Sequence, residues 1–128
     1  MNRADLNRLH TKVFEAAAEV HSALGPGLDE EIYRSCFQHE LRLHGLLFKR
    51  DARFPVFYKD IKTTQEIKAE MLVENHIIVE ITSETEINPL RISGMQSKLK
   101  ATGRRVGILI TFNCHNITDG YRKVMLNP

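Results

Sequence analysis

An α/β sandwich around a mixed sheet of four to five strands is the fold class this 128-residue chain predicts. Three observations carry it. Two strand-like runs meet at a polar break in Ile67–Ser83, a helical stretch of crossover length follows at 89–101, and an unbroken apolar run, Val106–Phe112, comes next. A strand, a helix of that length and a second strand make a right-handed crossover, so the strands at 76–82 and 106–112 are expected to be parallel. An apolar run without alternation marks a strand covered on both faces. The sheet should therefore lie between helical layers.

The elements follow in order. Residues 3–24 carry Leu6, Leu9, Val13, Ala16, Ala17, Val20 and Leu24 at three- and four-residue intervals, the apolar stripe of an amphipathic helix. Gly25-Pro26-Gly27 stops it. His21 falls in its last turn, where a cationic side chain suits the negative end of the helix dipole. A second helix is expected from Leu28 to His44, with Ile32, Cys36, Phe37 and Leu41 as its stripe and Gly45 at its end. With Gly27 as N-cap, Glu30 would stand at the third helical position and Tyr33 on the same face. Capping accounts for Glu30 without a function, and a carboxylate and phenol leaving a helix start together is also how a helix serves a polar site. Both readings are open on the sequence.

Leu46–Arg50 and Phe54–Tyr58 read as two short strands, the second on an edge because of Pro55, and Lys59–Glu66 as a polar loop. In the central stretch Ile67, Ala69, Met71 and Val73 alternate with polar neighbours, and Ile77, Val79 and Ile81 do the same beyond the turn Asn75-His76. If both odd-numbered sets face one core, Glu70 and Glu80 share the opposite face of a hairpin. Neighbouring carboxylates call for a cation or a bound proton. A divalent metal is one answer, and Lys68 in a solvated Lys/Glu ladder is another. Pro89 opens the third helix, with Ile92, Met95 and Leu99 at helical spacing and Gly94 marking close packing or a bend. A short basic tail through Tyr121, Arg122 and Lys123 closes the chain.

Composition narrows the function classes. Hydrophobic residues make up 42% and charged residues 27%, ordinary for a globular domain and against disorder or fibre. One domain over 1–128 is expected from the length. No apolar run is long enough to span a bilayer and the start lacks a signal-peptide core, which leads to a cytoplasmic expectation with no membrane partner. Cys36 and Cys114 have no CxxC spacing. Cys114-His115 makes a poor nucleophile and base, since neighbours on an extended chain point apart. A formal charge of +2 is compatible with nucleic acid and does not demand it.

Several ordered blocks together resemble one group of proteins. Glu19-Val20-His21, Leu24-Gly25-Pro26-Gly27, the Gly27, Glu30, Tyr33 spacing, Val73-Glu74, Ile78-Val79-Glu80, Ala101-Thr102-Gly103 and Arg105-Val106-Gly107 are similar to the GxxExxY family of small bacterial proteins, within the PD-(D/E)XK nuclease-like superfamily. The similarity runs from about Val13 to Val124. It implies a restriction-endonuclease-like sandwich in which, in active members, an Asp and a Glu bind Mg²⁺ or Mn²⁺ and a Lys two residues after the Glu activates water for phosphodiester hydrolysis. Glu70 and Glu80 occupy the metal-ligand positions, with Glu30 as a supporting acid and Tyr33 beside it.

The sequence departs from that pattern where chemistry is concentrated. Glu70 stands for the Asp, Thr82 for the Lys, and Gly94 and Lys98 where Gln and Tyr are expected. A hydroxyl at 82 carries no positive charge, so Lys68 or Lys98 would have to supply it. The resemblance then implies a degenerate member with impaired or absent catalysis that binds nucleic acid or a protein partner. The alternative is an active Mg²⁺/Mn²⁺-dependent nuclease with a relocated lysine. Lys98, Lys100, Arg104 and Arg105 around the end of the third helix are expected either to contact phosphates or simply to solvate that end.

Overall fold

A computed structural model describes residues 1–126. Helix α1 (Arg3–Leu24) is capped by the Asn2 side chain, which accepts from Asp5 N–H. Helix α2 (Glu30–Leu43) packs beside it. A five-stranded sheet then forms in the order β1 (Phe48–Tyr58), β2 (Ile61–Val73), β3 (Ile77–Thr82), β4 (Val106–Thr111), β5 (Tyr121–Met125), with helix α3 (Pro89–Thr102) crossing between β3 and β4. The β3–β4 pair is parallel and the others are antiparallel, so the sheet is mixed as expected. None of the described helices is long and apolar enough to cross a membrane.

The sheet separates two cores. On one side α1 and α2 lay Leu9, Val13, Val20, Phe37 and Leu41 against Val73, Ile77, Val79, Ile108 and Ile110. On the other, Met95 and Leu99 of α3 meet Leu72, Ile78, Leu109 and Val124. Every residue of β4 is buried, as its unbroken apolar run requires. Close packing of α3 depends on Gly107, where a Cβ would come within 2.5 Å of Met95 Cγ. Gly94, expected to mark such packing, has open space at its Cβ.

Five expectations about elements are corrected. Helix α2 starts at Glu30, with Asp29 as N-cap accepting from Glu31 N–H at 3.4 Å, because Gly27 (φ +90°) belongs to the preceding loop. Its buried stripe is Tyr33, Phe37, Gln38 and Leu41, while Ile32 is exposed. The two short strands are one continuous strand, and the loop expected at 59–66 shrinks to Lys59-Asp60, because β2 begins at Ile61. The start of β2, residues 61–66, is exposed but for Thr63, which removes the alternation that would have revealed it. Finally, the basic tail contains an edge strand, β5, paired with β4.

Candidate functional site

The site forms where the sheet opens. Pairing of β2 with β3 runs through Val73–Ile77 and Leu72–Ile78 and stops at Met71–Val79. At the next residue the pleat slips: Ala69 and its β1 partner Ala52 lie on the α3 side, whereas Met71 lies in the α1/α2 core. Asp51, beside this slip on β1, has a left-handed backbone (φ +52°). Glu70 sits at the slip, and its side chain fills the gap. Ile81 N–H donates to Glu70 Oε2 at 2.7 Å, where the ladder no longer offers a strand carbonyl.

The two acids share a cleft but are held from opposite layers. Glu70, Glu80, Asp51, Lys68, Arg91 and Lys98 line a cleft of about 580 Å³ on the α3 side. Glu70 also opens onto a hollow beneath α2. There Arg34 donates from Nε to Glu70 Oε1 at 2.8 Å, and its Nη2 contacts the same oxygen and Glu30 Oε2, the latter at 2.8 Å. Nη1 of Arg34 pairs with Glu31. Glu80 is held from α3 by the Lys98 ammonium, which also donates to the Lys68 carbonyl at 3.2 Å. The expectation of a shared pocket holds, but the simple same-face geometry fails because the alternation breaks at Glu70.

Burial pushes the Glu70 carboxyl above its ordinary value, against the lowering effects of the Ile81 N–H and Arg34, and the nearby Glu80 charge adds to the rise. Burial works to lower the Arg34 pKa, but its three acidic partners outweigh it and the guanidinium is held more firmly charged. The opposite outcomes at the two partners follow from position: the carboxylate, set into the gap of the sheet, loses more hydration than its two donors return.

The other sequence candidates are scattered. Thr82 is buried at the end of β3, where its hydroxyl accepts from Glu84 N–H at 3.2 Å in a turn and does not line the cleft. Tyr33 parts company with Glu30: its ring stacks on Phe112 in the core, and its hydroxyl donates to Gly25 O at 2.5 Å and accepts from Leu28 N–H at 3.0 Å. It fixes the loop before α2. Lys68 pairs with Asp51 at 3.4 Å at the cleft rim. Of the basic group at the end of α3, Lys98 turns inward, Arg104 reaches Asn75 O and Oδ1 and lies over Phe54, Arg105 donates to Met1 O, and Lys100 lines a separate hollow with Ser97. Those four side chains do not make one patch.

Sequence reasoning missed Arg34 and Arg91. The first had a signal, since it stands four residues after Glu30 on one helix face. Arg91 had none: it lines the cleft 3.9 Å from Glu84 Oε1, and its buried Nε has no hydrogen-bond partner among the described residues. Outside the cleft, His21 approaches Cys114, with Nε2 2.7 Å from its carbonyl oxygen and 3.8 Å from Sγ. The carbonyl requires a proton on that nitrogen, so it is no base. Burial and Asp119 push the thiol pKa up, and it donates to Thr111 O at 3.3 Å. This pair is structural.

A family model described as the PD-(D/E)XK nuclease superfamily matches residues 7–124. The chain belongs to the PD-(D/E)XK nuclease superfamily. No curated protein and no solved structure matches it. Nucleases of this superfamily generally use divalent metals. Mg²⁺ asks for near-octahedral oxygen ligands and typically takes one or two protein carboxylates, with waters and phosphates completing the shell. Glu70 and Glu80 supply two carboxylates, but among the described residues no three His, Cys, Asp or Glu side chains group to hold a metal. Both Glu70 oxygens already accept hydrogen bonds, and Glu80 is paired. As folded, this donor set does not fit a resident dication.

Proposed function

We propose that this chain is a GxxExxY-type member of the superfamily that binds nucleic acid with impaired or absent phosphodiester hydrolysis. One observation carries the reading: each acid of the nuclease position is neutralised by a cation of the protein, Glu70 by Arg34 and Glu80 by Lys98. A nuclease of this class needs those oxygens for a metal and a free ammonium near the attacked phosphate. Here the oxygens are engaged, and the hydroxyl at Thr82 is folded into a turn. What is retained is a cleft whose wall holds Lys68, Arg91 and Lys98 among the acids Asp51, Glu70 and Glu80, cations that an incoming phosphate would draw from their partners. The Gly27, Glu30, Tyr33 spacing supports the subfamily.

The test pairs two assays. Labelled single- and double-stranded DNA and RNA, incubated with Mg²⁺ or Mn²⁺, should stay intact beyond the background of Glu80→Ala. The same oligonucleotides should bind with an affinity that falls steeply as salt is raised. Metal-dependent cleavage abolished in Glu80→Ala, or no oligonucleotide binding at low salt, overturns the proposal. A second reading has its own support in Lys98, whose ammonium lies against Glu80 in the cleft as a relocated lysine would. On that reading the protein is an active Mn²⁺-dependent nuclease, and Lys98→Ala destroys the cleavage.

A further inference from the structure

The hairpin formed by β1 and β2 outgrows the sheet. Its strands pair from Phe48–Val73 to Tyr58–Ile61, but only Met71 to Val73 pair with β3. Ala52 and Phe54 are partly covered by α3, and beyond them the ribbon is free: from Pro55 to Glu66 only Val56 and Thr63 are even partly buried. At its tip Phe57 is 63% and Tyr58 66% exposed, beside Ile61 at 68%. Isolated exposed hydrophobes need no explanation, but three together on a protruding tip do.

Charge makes the ribbon distinctive. Residues 48–68 hold six basic side chains against three acidic ones, an excess of three in a chain whose whole formal charge is +2. Arg53 and Lys68 are direct cross-strand partners, a like-charge pairing in which Asp51, 3.4 Å from Lys68, offsets the lysine and leaves Arg53 without an acid. Among the described residues, Lys49, Arg50, Arg53, Lys59 and Lys62 have no acidic partner within ion-pair distance. Cations on an edge strand also discourage another strand from adding there. That argues against a protein partner pairing with β1, and edge protection leaves the aromatic tip unexplained.

We propose that the β1–β2 ribbon is an arm for single-stranded nucleic acid, with Arg53, Lys59 and Lys62 holding phosphates and Phe57 and Tyr58 stacking on unpaired bases. Basic surfaces interleaved with exposed aromatics bind single strands because every base offers a face to stack on. The ribbon starts at the cleft, since Asp51 and Lys68 line both, so one strand runs from the tip toward Lys98. This rests on the nucleic-acid reading above.

Fluorescence anisotropy with a labelled oligothymidylate of about a dozen nucleotides, and with a duplex of similar length, tests it. The wild type should bind the single strand more tightly. Phe57→Ala with Tyr58→Ala should weaken that binding about fivefold or more with the salt slope unchanged. Arg53→Gln with Lys62→Gln should lower the slope by about 0.7 per lost phosphate contact. Arg3→Gln with Lys12→Gln, on the exposed face of α1, removes the same charge and should leave the slope nearly as it was. Thermal melts of each variant guard against misfolding. Wild-type binding that neither ribbon pair alters, or that favours the duplex, overturns the arm and leaves the nucleic-acid reading intact. No binding of either oligonucleotide by the wild type removes that reading and the arm with it.

Discussion

Glu70 and Glu80 are neighbours in one cleft, yet they are neutralised in different ways. Glu70 faces a planar guanidinium fixed by two further acids, Glu30 and Glu31, and also accepts a main-chain N–H from Ile81. Glu80 faces one ammonium at the end of a four-carbon stem. Arginine in a fork of three carboxylates is held in place, whereas a lysine ammonium is a point charge that swings away at little cost. The comparison teaches that two acids of one cleft can be covered in different ways: Glu70 is built into the structure, and Glu80 has a removable cover.

The largest effect should come from breaking the fixed half. Arg34→Ala leaves Glu70 in the gap of the sheet without its cation. Breaking a buried pair costs roughly 3–5 kcal/mol, and because the two side chains remain about a fifth exposed we expect about 2–3 kcal/mol in urea denaturation. The cost should depend on pH with a defined sign. A carboxyl whose folded pKa is raised burdens the fold once ionised, so stability falls as pH rises from the unfolded value through the folded one and then levels. Removing Arg34 removes a lowering influence and moves the folded pKa further up. The variant should therefore lose more stability at pH 8 than at pH 4, and equal losses at both would contradict this picture of Glu70.

Next in size is the joint between α3 and the sheet. Gly107→Ala puts a methyl group into Met95 and forces the helix outward, with overpacking expected to cost about 1–3 kcal/mol. Because Lys98 rides on α3, the shift should also loosen its contact with Glu80. A calorimetric melting point equal to that of the wild type would show that Met95 simply swings aside.

Smaller still is the releasable half. Lys98→Gln should cost about 1 kcal/mol or less, since the lysine is a third exposed and water replaces part of what it gives. A loss matching that of Arg34→Ala would erase the contrast between the two acids. The smallest effect is a sharpening test. Thr82→Lys alone should confer no Mn²⁺-dependent cleavage, because Glu70 stays bound to Arg34, and a clear gain of activity would show that the missing lysine was the sole defect.

Much of the fold was legible because burial writes itself into sequence. The stripe of α1 and the apolar run of β4 each reflect a face covered by protein, and Pro89 marks the start of α3 through its fixed backbone. The start of β2, residues 61–66, reads as a loop because only Thr63 there is even partly covered and IKTTQE has no pattern to show. The slip at Glu70 was invisible for a different reason. Ala69 continues the odd-numbered apolar series perfectly, and only the opening between β2 and β3 turns it to the other core. The hairpin made Glu70 and Glu80 neighbours as expected, although the alternation used to place them on one face breaks at Glu70. Their cations came from α2 and α3, 36 and 18 residues away: Lys98 was named through the family resemblance, and Arg34 had only its spacing from Glu30.

The central claim is that the protein's own cations have replaced the metal at these two acids. Titrating Mn²⁺ into the protein in a calorimeter, at millimolar ion and low salt, tests it most directly. The account predicts no heat beyond dilution for the wild type. A saturable heat that disappears in Glu80→Ala would contradict it.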